Sequence, residues 1–144
     1  MNNIRSLYKT ISLEETLING IGTCIEQVNL MNYLLNKINI PTKMFCTRVY
    51  EDENYDEINS DIYMHCFVLY YLGNKVYHLE HPNWERVNIY EYENEEKAIE
   101  DISLYYLKKD NGKVRTVTAF YEVEPNLTFK EFNNYINSLD NKVK

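Results

Sequence analysis

Cys24, His65 and Glu80 are the residues of this chain whose types and order could supply a nucleophile, its base and an orienting acid. Cys24 follows Gly20-Ile21-Gly22-Thr23 and precedes Ile25, Val28, Leu34, Leu35 and Ile38. Those apolar residues recur at three- and four-residue steps, the mark of a helix with one buried face. Thr23 supplies an N-cap oxygen, so Cys24 falls in the first turn. There, unpaired backbone N–H groups and the positive end of the helix dipole favour a thiolate. Such placement lowers a thiol from about 8.5 into the nucleophilic range. The plainer alternative is a small buried residue with no chemistry.

His65 and Glu80 are related by a hairpin. Tyr63–Leu72 and Lys75–Glu80 are aromatic and β-branched runs flanking Gly73-Asn74, a two-residue turn. With that loop Leu72 faces Lys75, and Phe67 faces Glu80. Parity then sets His65 and Glu80 as diagonal neighbours on one side, with His81 on the other. The alternatives are a sheet histidine bonded to a tyrosine and a strand-end carboxylate in solvent. A zinc set of His78, Glu80 and His81 with Cys66 or His65 has suitable ligand types. Only His78 and Glu80 of that set share a face on the second strand.

The remaining elements must hold these groups in place. A helix is expected over Asn2–Asn19, with Leu7, Ile11 and Leu17 towards the core and Asn19-Gly20 as its stop. The Cys24 helix should end near Asn39, ahead of Ile40-Pro41. Lys43–Tyr50 alternates as a strand, and Trp84–Tyr92 reads as a further extended piece. Glu51–Glu57 is a solvated acidic loop without the glycine and terminal carboxylate of a calcium loop. Asn94–Lys109 is a helix with Ala98, Ile102, Tyr105 and Tyr106 as its apolar stripe. Lys113–Glu124 is a strand ended by Pro125, and Thr128–Leu139 is a helix facing inward with Phe129, Phe132 and Ile136. Helices flanking a mostly antiparallel sheet make an α+β fold, in a single domain over residues 1–144.

Composition narrows the function classes. A net charge of −7 argues against nucleic acid and anionic membrane as partners. No stretch reaches the ~20 apolar residues of a membrane span, and Met1–Ser6 has no signal-peptide character, so a cytoplasmic setting is expected. Three cysteines (Cys24, Cys46 and Cys66) cannot all pair within one chain, which leaves a free thiol. No glycine-rich phosphate loop is present, so no cofactor and no metal are expected.

Three segments together carry a family resemblance. Gly20-Ile21-Gly22-Thr23-Cys24 and the helix after it resemble the G-x-C segment of the transglutaminase-like superfamily, cysteine peptidases and acyltransferases of papain-like layout. His65-Cys66-Phe67-Val68 is similar to that family's H-x-F/W-V strand, and Tyr77-His78-Leu79-Glu80 to its W/Y-x-x-D strand. The likeness spans roughly Gly20 to Trp84 and is nearest to small bacterial members with no settled substrate. It implies Cys24 as nucleophile, His65 as base and then acid, and Glu80 as the group that orients the ring. Glu80 stands where aspartate is usual, and Thr23 where tryptophan or tyrosine often precedes the cysteine. The Cys24 backbone N–H, with Gln27 second, is then the oxyanion candidate; Thr23, Gln27 and Trp84 are the expected oxyanion or substrate contacts. The implied activity is thiol-dependent acyl transfer on a peptide or small amide. The rival expectation is a non-catalytic module that holds a peptide or partner protein in an aromatic cleft, with Glu51–Asp61 as its rim.

Overall fold

A computed structural model describes residues 7–20, 22–51, 62–112 and 114–142, without the side chains of 114, 115, 141 and 142. The described elements run α1 (Leu13–Asn19), α2 (Cys24–Lys37), β1 (Thr42–Tyr50), β2 (Ile62–Leu72), β3 (Lys75–Glu80), β4 (Asn88–Tyr92), α3 (Glu95–Lys109), β5 (Val114–Phe120) and α4 (Phe129–Lys142). The strands form one antiparallel sheet in the order β4-β3-β2-β1-β5. The fold is therefore α+β, as expected from the sequence.

Helices cover both faces of the sheet. Met44, Cys46, Cys66 and Val68 meet Ile25 and Val28 of α2 and Phe132 and Ile136 of α4. On the other face Phe45, Val49, Phe67 and Leu69 pack on Ala98, Ile102 and Tyr106 of α3. Double coverage explains why β1 is buried without interruption from Met44 to Tyr50, where alternation was expected. Even Arg48 is enclosed there, and its guanidinium is taken up by Asn137, Asp140 and Thr118.

Several boundaries differ from the sequence expectation. The expected Asn2–Asn19 helix is interrupted: Leu7 is helical, residues 8–12 are not, and α1 starts at Leu13. There Ser12 and Glu15 close a capping box, in which Ser12 N donates to Glu15 Oε2 (2.9 Å) and Glu15 N to Ser12 Oγ (3.1 Å). Residues 1–6 lie outside the described set. Ahead of the cap the chain is a strap, in which Lys9 bridges to Thr128 and Thr10 N donates to Leu127 O (2.8 Å). Leu7 and Leu17 are exposed and Ile11 is half-buried, so none of the three is in the core. α2 stops at Lys37, with Asn39 in the left-handed region (φ 61°). Ile25 and Val28 are buried as expected, but Leu34 and Ile38 are exposed, since the second half of α2 leaves the sheet's cover.

β5 ends at Phe120, which pairs with Met44 near the start of β1, short of the expected Glu124. Of Trp84–Tyr92 only Asn88–Tyr92 is a strand, since residues 84–86 turn. Asn94 caps α3 through its side chain, and Thr128 opens α4, which continues three residues past Leu139. The acidic loop, apart from Glu51, lies outside the described residues. No described helix is long and apolar enough to cross a membrane.

Candidate active site

Two glycines set the start of α2 for different reasons. Gly20 caps α1 in the left-handed conformation (φ 62°) with its N–H on Thr16 O. Gly22 needs to be small, because a Cβ there would sit 2.7 Å from the Cβ of Glu26. Glu26 is buried and closes the helix start, accepting from the Thr23 N–H (2.9 Å), the Thr23 hydroxyl (2.5 Å) and the Tyr8 hydroxyl (2.7 Å). Cys24 is thereby held, half-buried, as the first residue of α2.

The β2–β3 hairpin has the register expected from its turn: Leu72 pairs with Lys75, and the ladder runs to Leu69–His78. Beyond that pair the two strands cease to pair among the described residues, and the carboxylate of Glu80 reaches back across the opening. His65 Nε2 and Glu80 Oε2 are 3.0 Å apart, both buried. Cys24 packs with the cluster on the α2 face, whereas His65 stacks on Tyr106 on the α3 face (centroids 4.2 Å apart). The two meet at the unpaired edge of β2, where Cys24 contacts the His65 ring, the Cys66 thiol and the Cys66 backbone N–H. With Nε2 on Glu80, Nδ1 is the ring nitrogen left for the sulfur.

The electrostatics follow from these contacts. Hydrogen bonding from Cys66 and His65 outweighs burial and holds the Cys24 thiol well below its ordinary value. Burial works against charge on His65, but the contacts with Cys24 and Glu80 overcome it and raise the ring to about 9. Burial likewise opposes charge on Glu80, yet its histidine neighbours hold the carboxyl well below the usual carboxylate range. Burial and the Cys24 contact push the Cys66 thiol up, so it stays protonated. These contacts favour a thiolate, an imidazolium and a carboxylate in a row over their neutral forms.

Three residues behind the site were not singled out by sequence reasoning in these roles. His78 Nε2 lies 3.2 Å from Glu80 Oε2, and burial lowers this ring so that it stays neutral. Asn83 N–H donates to Glu80 Oε1 (3.1 Å), and Asn83 Nδ2 donates to the Tyr106 hydroxyl (3.0 Å). His78 shares the parity of Glu80, so its nearness was available from the register. The backward reach of Asn83 depends on the bend after β3, where Pro82 closes the strand; Pro82 marks the end of the strand but not the direction the chain then takes.

The other expected contacts are dispersed. His81 points away from His65, with Nδ1 2.7 Å from Gln27 Oε1. The Gln27 amide donates to Gly22 O (2.9 Å), so this side chain is engaged away from the sulfur. Thr23 lines the cavity beside Cys24, with its hydroxyl bound to Glu26. Trp84 is 81% exposed and lines neither that cavity nor the groove beside Gln27. The zinc set does not converge, since Cys66 lies on the α2 face and His81 turns to Gln27. Among the described residues no group of three or more His, Cys, Asp or Glu could hold a metal ion. No family model, curated protein or solved structure matches this chain.

Proposed function

We propose that this chain is a transglutaminase-like cysteine enzyme of papain-like layout that transfers an acyl group from an amide through a thioester on Cys24. The observation that carries the reading is the convergence of Cys24, His65 and Glu80 from a helix start and two strands. In the reaction the Cys24 thiolate attacks the amide carbonyl carbon. The His65 imidazolium gives its proton to the departing nitrogen as the C–N bond breaks, leaving a thioester and a neutral ring. Neutral His65 then takes a proton from an incoming water or amine, which attacks the thioester and releases Cys24 as thiolate. Glu80 keeps the ring in one orientation and stabilises its charged form throughout. The Cys24 N–H, at the first helical position, has no carbonyl partner within the helix and serves as the oxyanion donor.

The rival reading, a non-catalytic peptide-binding module, draws on an apolar groove of about 600 Å³ lined by Leu30, Met31, Leu34 and Leu79. Thiol reactivity separates the two, because a binding module has no use for an acidic cysteine. Iodoacetamide labelling across pH, with peptide mapping of the three cysteines, should show Cys24 reacting first and doing so below the ~8.5 of a free thiol. Faster labelling of Cys46 or Cys66 at neutral pH would remove Cys24 as nucleophile.

A further inference from the structure

Beside the Cys24 sulfur lies a cavity of about 210 Å³. Its walls come from Tyr8, Thr23, Ile25, Met64, Cys66 and Phe129. The polar groups among them are already committed. The Tyr8 hydroxyl donates to Glu26 Oε1 and the Thr23 hydroxyl to Glu26 Oε2. The Cys66 thiol faces Cys24 itself. What remains is apolar surface: the methyl of Thr23, Ile25, Met64 and the two aromatic rings. Apart from Cys24 itself, no charged side chain lines it.

We infer that this cavity is the acyl subsite, and that it takes a small uncharged apolar group attached to the carbonyl that Cys24 attacks. The inference rests on the thioester reading above and names its acyl donor. A charged or hydrogen-bonding acyl group would lose its water and find no partner on these walls. An apolar cavity of about 150 Å³ holds one benzene ring, so the space suits an acyl chain of about four to six carbons or one phenyl ring. Met64 and Phe129 face the space from β2 and from the first turn of α4, and so limit its length.

The test uses 4-nitrophenyl esters on the whole protein. The Sγ–C bond forms as the C–O bond breaks, 4-nitrophenolate leaves with the electron pair, and water later cleaves the thioester. Acylation of Cys24 is read by intact mass and peptide mapping, and each rate is divided by that ester's rate with a free thiolate. Each methylene buried should raise the normalised rate about four-fold, so butyrate should exceed acetate roughly 15-fold. Phenylacetate should behave like butyrate, hemisuccinate should fall below acetate, and dodecanoate should fall below hexanoate. Met64→Ala should move the optimum to longer chains and Met64→Phe to shorter ones. These shifts are read as ratios between esters within one protein, so the folded fraction cancels, and the unsubstituted chain decides the matter if a variant fails to fold. Acylation of Cys24 at normalised rates independent of chain length overturns the subsite while leaving the thioester reading intact. Failure of every ester to acylate Cys24 overturns both.

Discussion

Replacing Glu80 by glutamine keeps the shape of the site and removes its charge. Glu80 uses both oxygens, Oε2 towards His65 at 3.0 Å and Oε1 accepting from the Asn83 N–H at 3.1 Å. Glutamine has one oxygen, so it can serve one of these partners and must present N–H to the other. The compatible arrangement keeps the oxygen on Asn83 and donates to Nε2 of a neutral His65. The charge itself is the larger effect. Two unit charges at ~4 Å interact by about 4 kcal/mol at an effective dielectric of 20, and about 1.36 kcal/mol equals one pKa unit. Loss of the carboxylate charge should therefore lower His65 from about 9, leaving the Cys24 contact as the remaining support of its charged form. With the ring back at its ordinary 6.5, the imidazolium-to-imidazole ratio at pH 7 would fall from roughly 100 to 1 to roughly 1 to 3. The Cys24 thiolate loses its counter-charge with it, and labelling at pH 7 should slow by about ten- to a hundred-fold. The assay is the pH–rate profile of iodoacetamide labelling of Cys24, with His65 followed by its NMR titration. His81→Gln serves as the parallel control, since that ring bonds Gln27 and not His65. A folded Glu80→Gln protein whose profile overlays that of the parent would refute the assignment of Glu80, as would a larger loss in His81→Gln.

The same geometry fixes three further outcomes. His65→Ala should slow Cys24 labelling at pH 7 and reduce any acyl transfer by ~10²–10⁴-fold; a folded variant with unchanged reactivity sets the base role aside. Stability should follow proton count. Cys24 is lowered, so its contribution is present above the unfolded thiol value of 9.0 and declines as pH falls; His65 is raised, so its contribution is present below 6.5 and is lost as pH rises through about 9. Between pH 6.5 and 9 the two oppose each other. Below 6.5 the Cys24 loss is joined by that of His78, whose ring is held neutral by burial while the unfolded ring takes a proton; each contributes up to about 1.4 kcal/mol per pH unit. Urea unfolding from pH 6.5 to 5 should show that slope reduced in Cys24→Ala, and equal slopes in the two proteins would contradict the ion pair. Gly22→Ala forces a Cβ against Glu26 and should cost about 1–3 kcal/mol in unfolding while slowing Cys24 labelling; an unaffected variant would show that this glycine does not set the helix start.

What could be read in advance was local or governed by parity. Gly73-Asn74 fixed the hairpin register, and that register is enough to put His65 beside Glu80 and turn His81 away. Gly20 and Gly22 marked the start of α2. Less accessible were features set by distant chain. The periodic apolar pattern of α2 continues to Ile38, but no sheet lies beneath its second half, so Leu34 and Ile38 are exposed. The strap at Lys9 and Thr10 replaces helix because Thr128 and Leu127, far along the sequence, offer it partners. That Cys24 and His65 approach from opposite faces follows from where the β2–β3 ladder ends, which is a tertiary outcome. Consecutive residues His65 and Cys66 both touching one sulfur is its trace, and only coordinates reveal it.

Reactivity and selectivity have separate addresses along this chain. The groups that charge the sulfur lie between Gly22 and Asn83 in one helix start and one hairpin. Two walls of the cavity beside it, Tyr8 and Phe129, come from either side of that stretch. They are brought together by the clasp in which the Leu127 N–H meets the Thr10 hydroxyl (2.9 Å), across 117 positions of sequence. Substitutions at Phe129 can therefore accumulate without touching the ion pair, while Tyr8, which also bonds Glu26, is more constrained, and a lineage could retain its chemistry while its preferred acyl group drifts. Descendants of such a protein would be alike in the hairpin and divergent at the clasp, with substrate range tracking the flanks and not the triad.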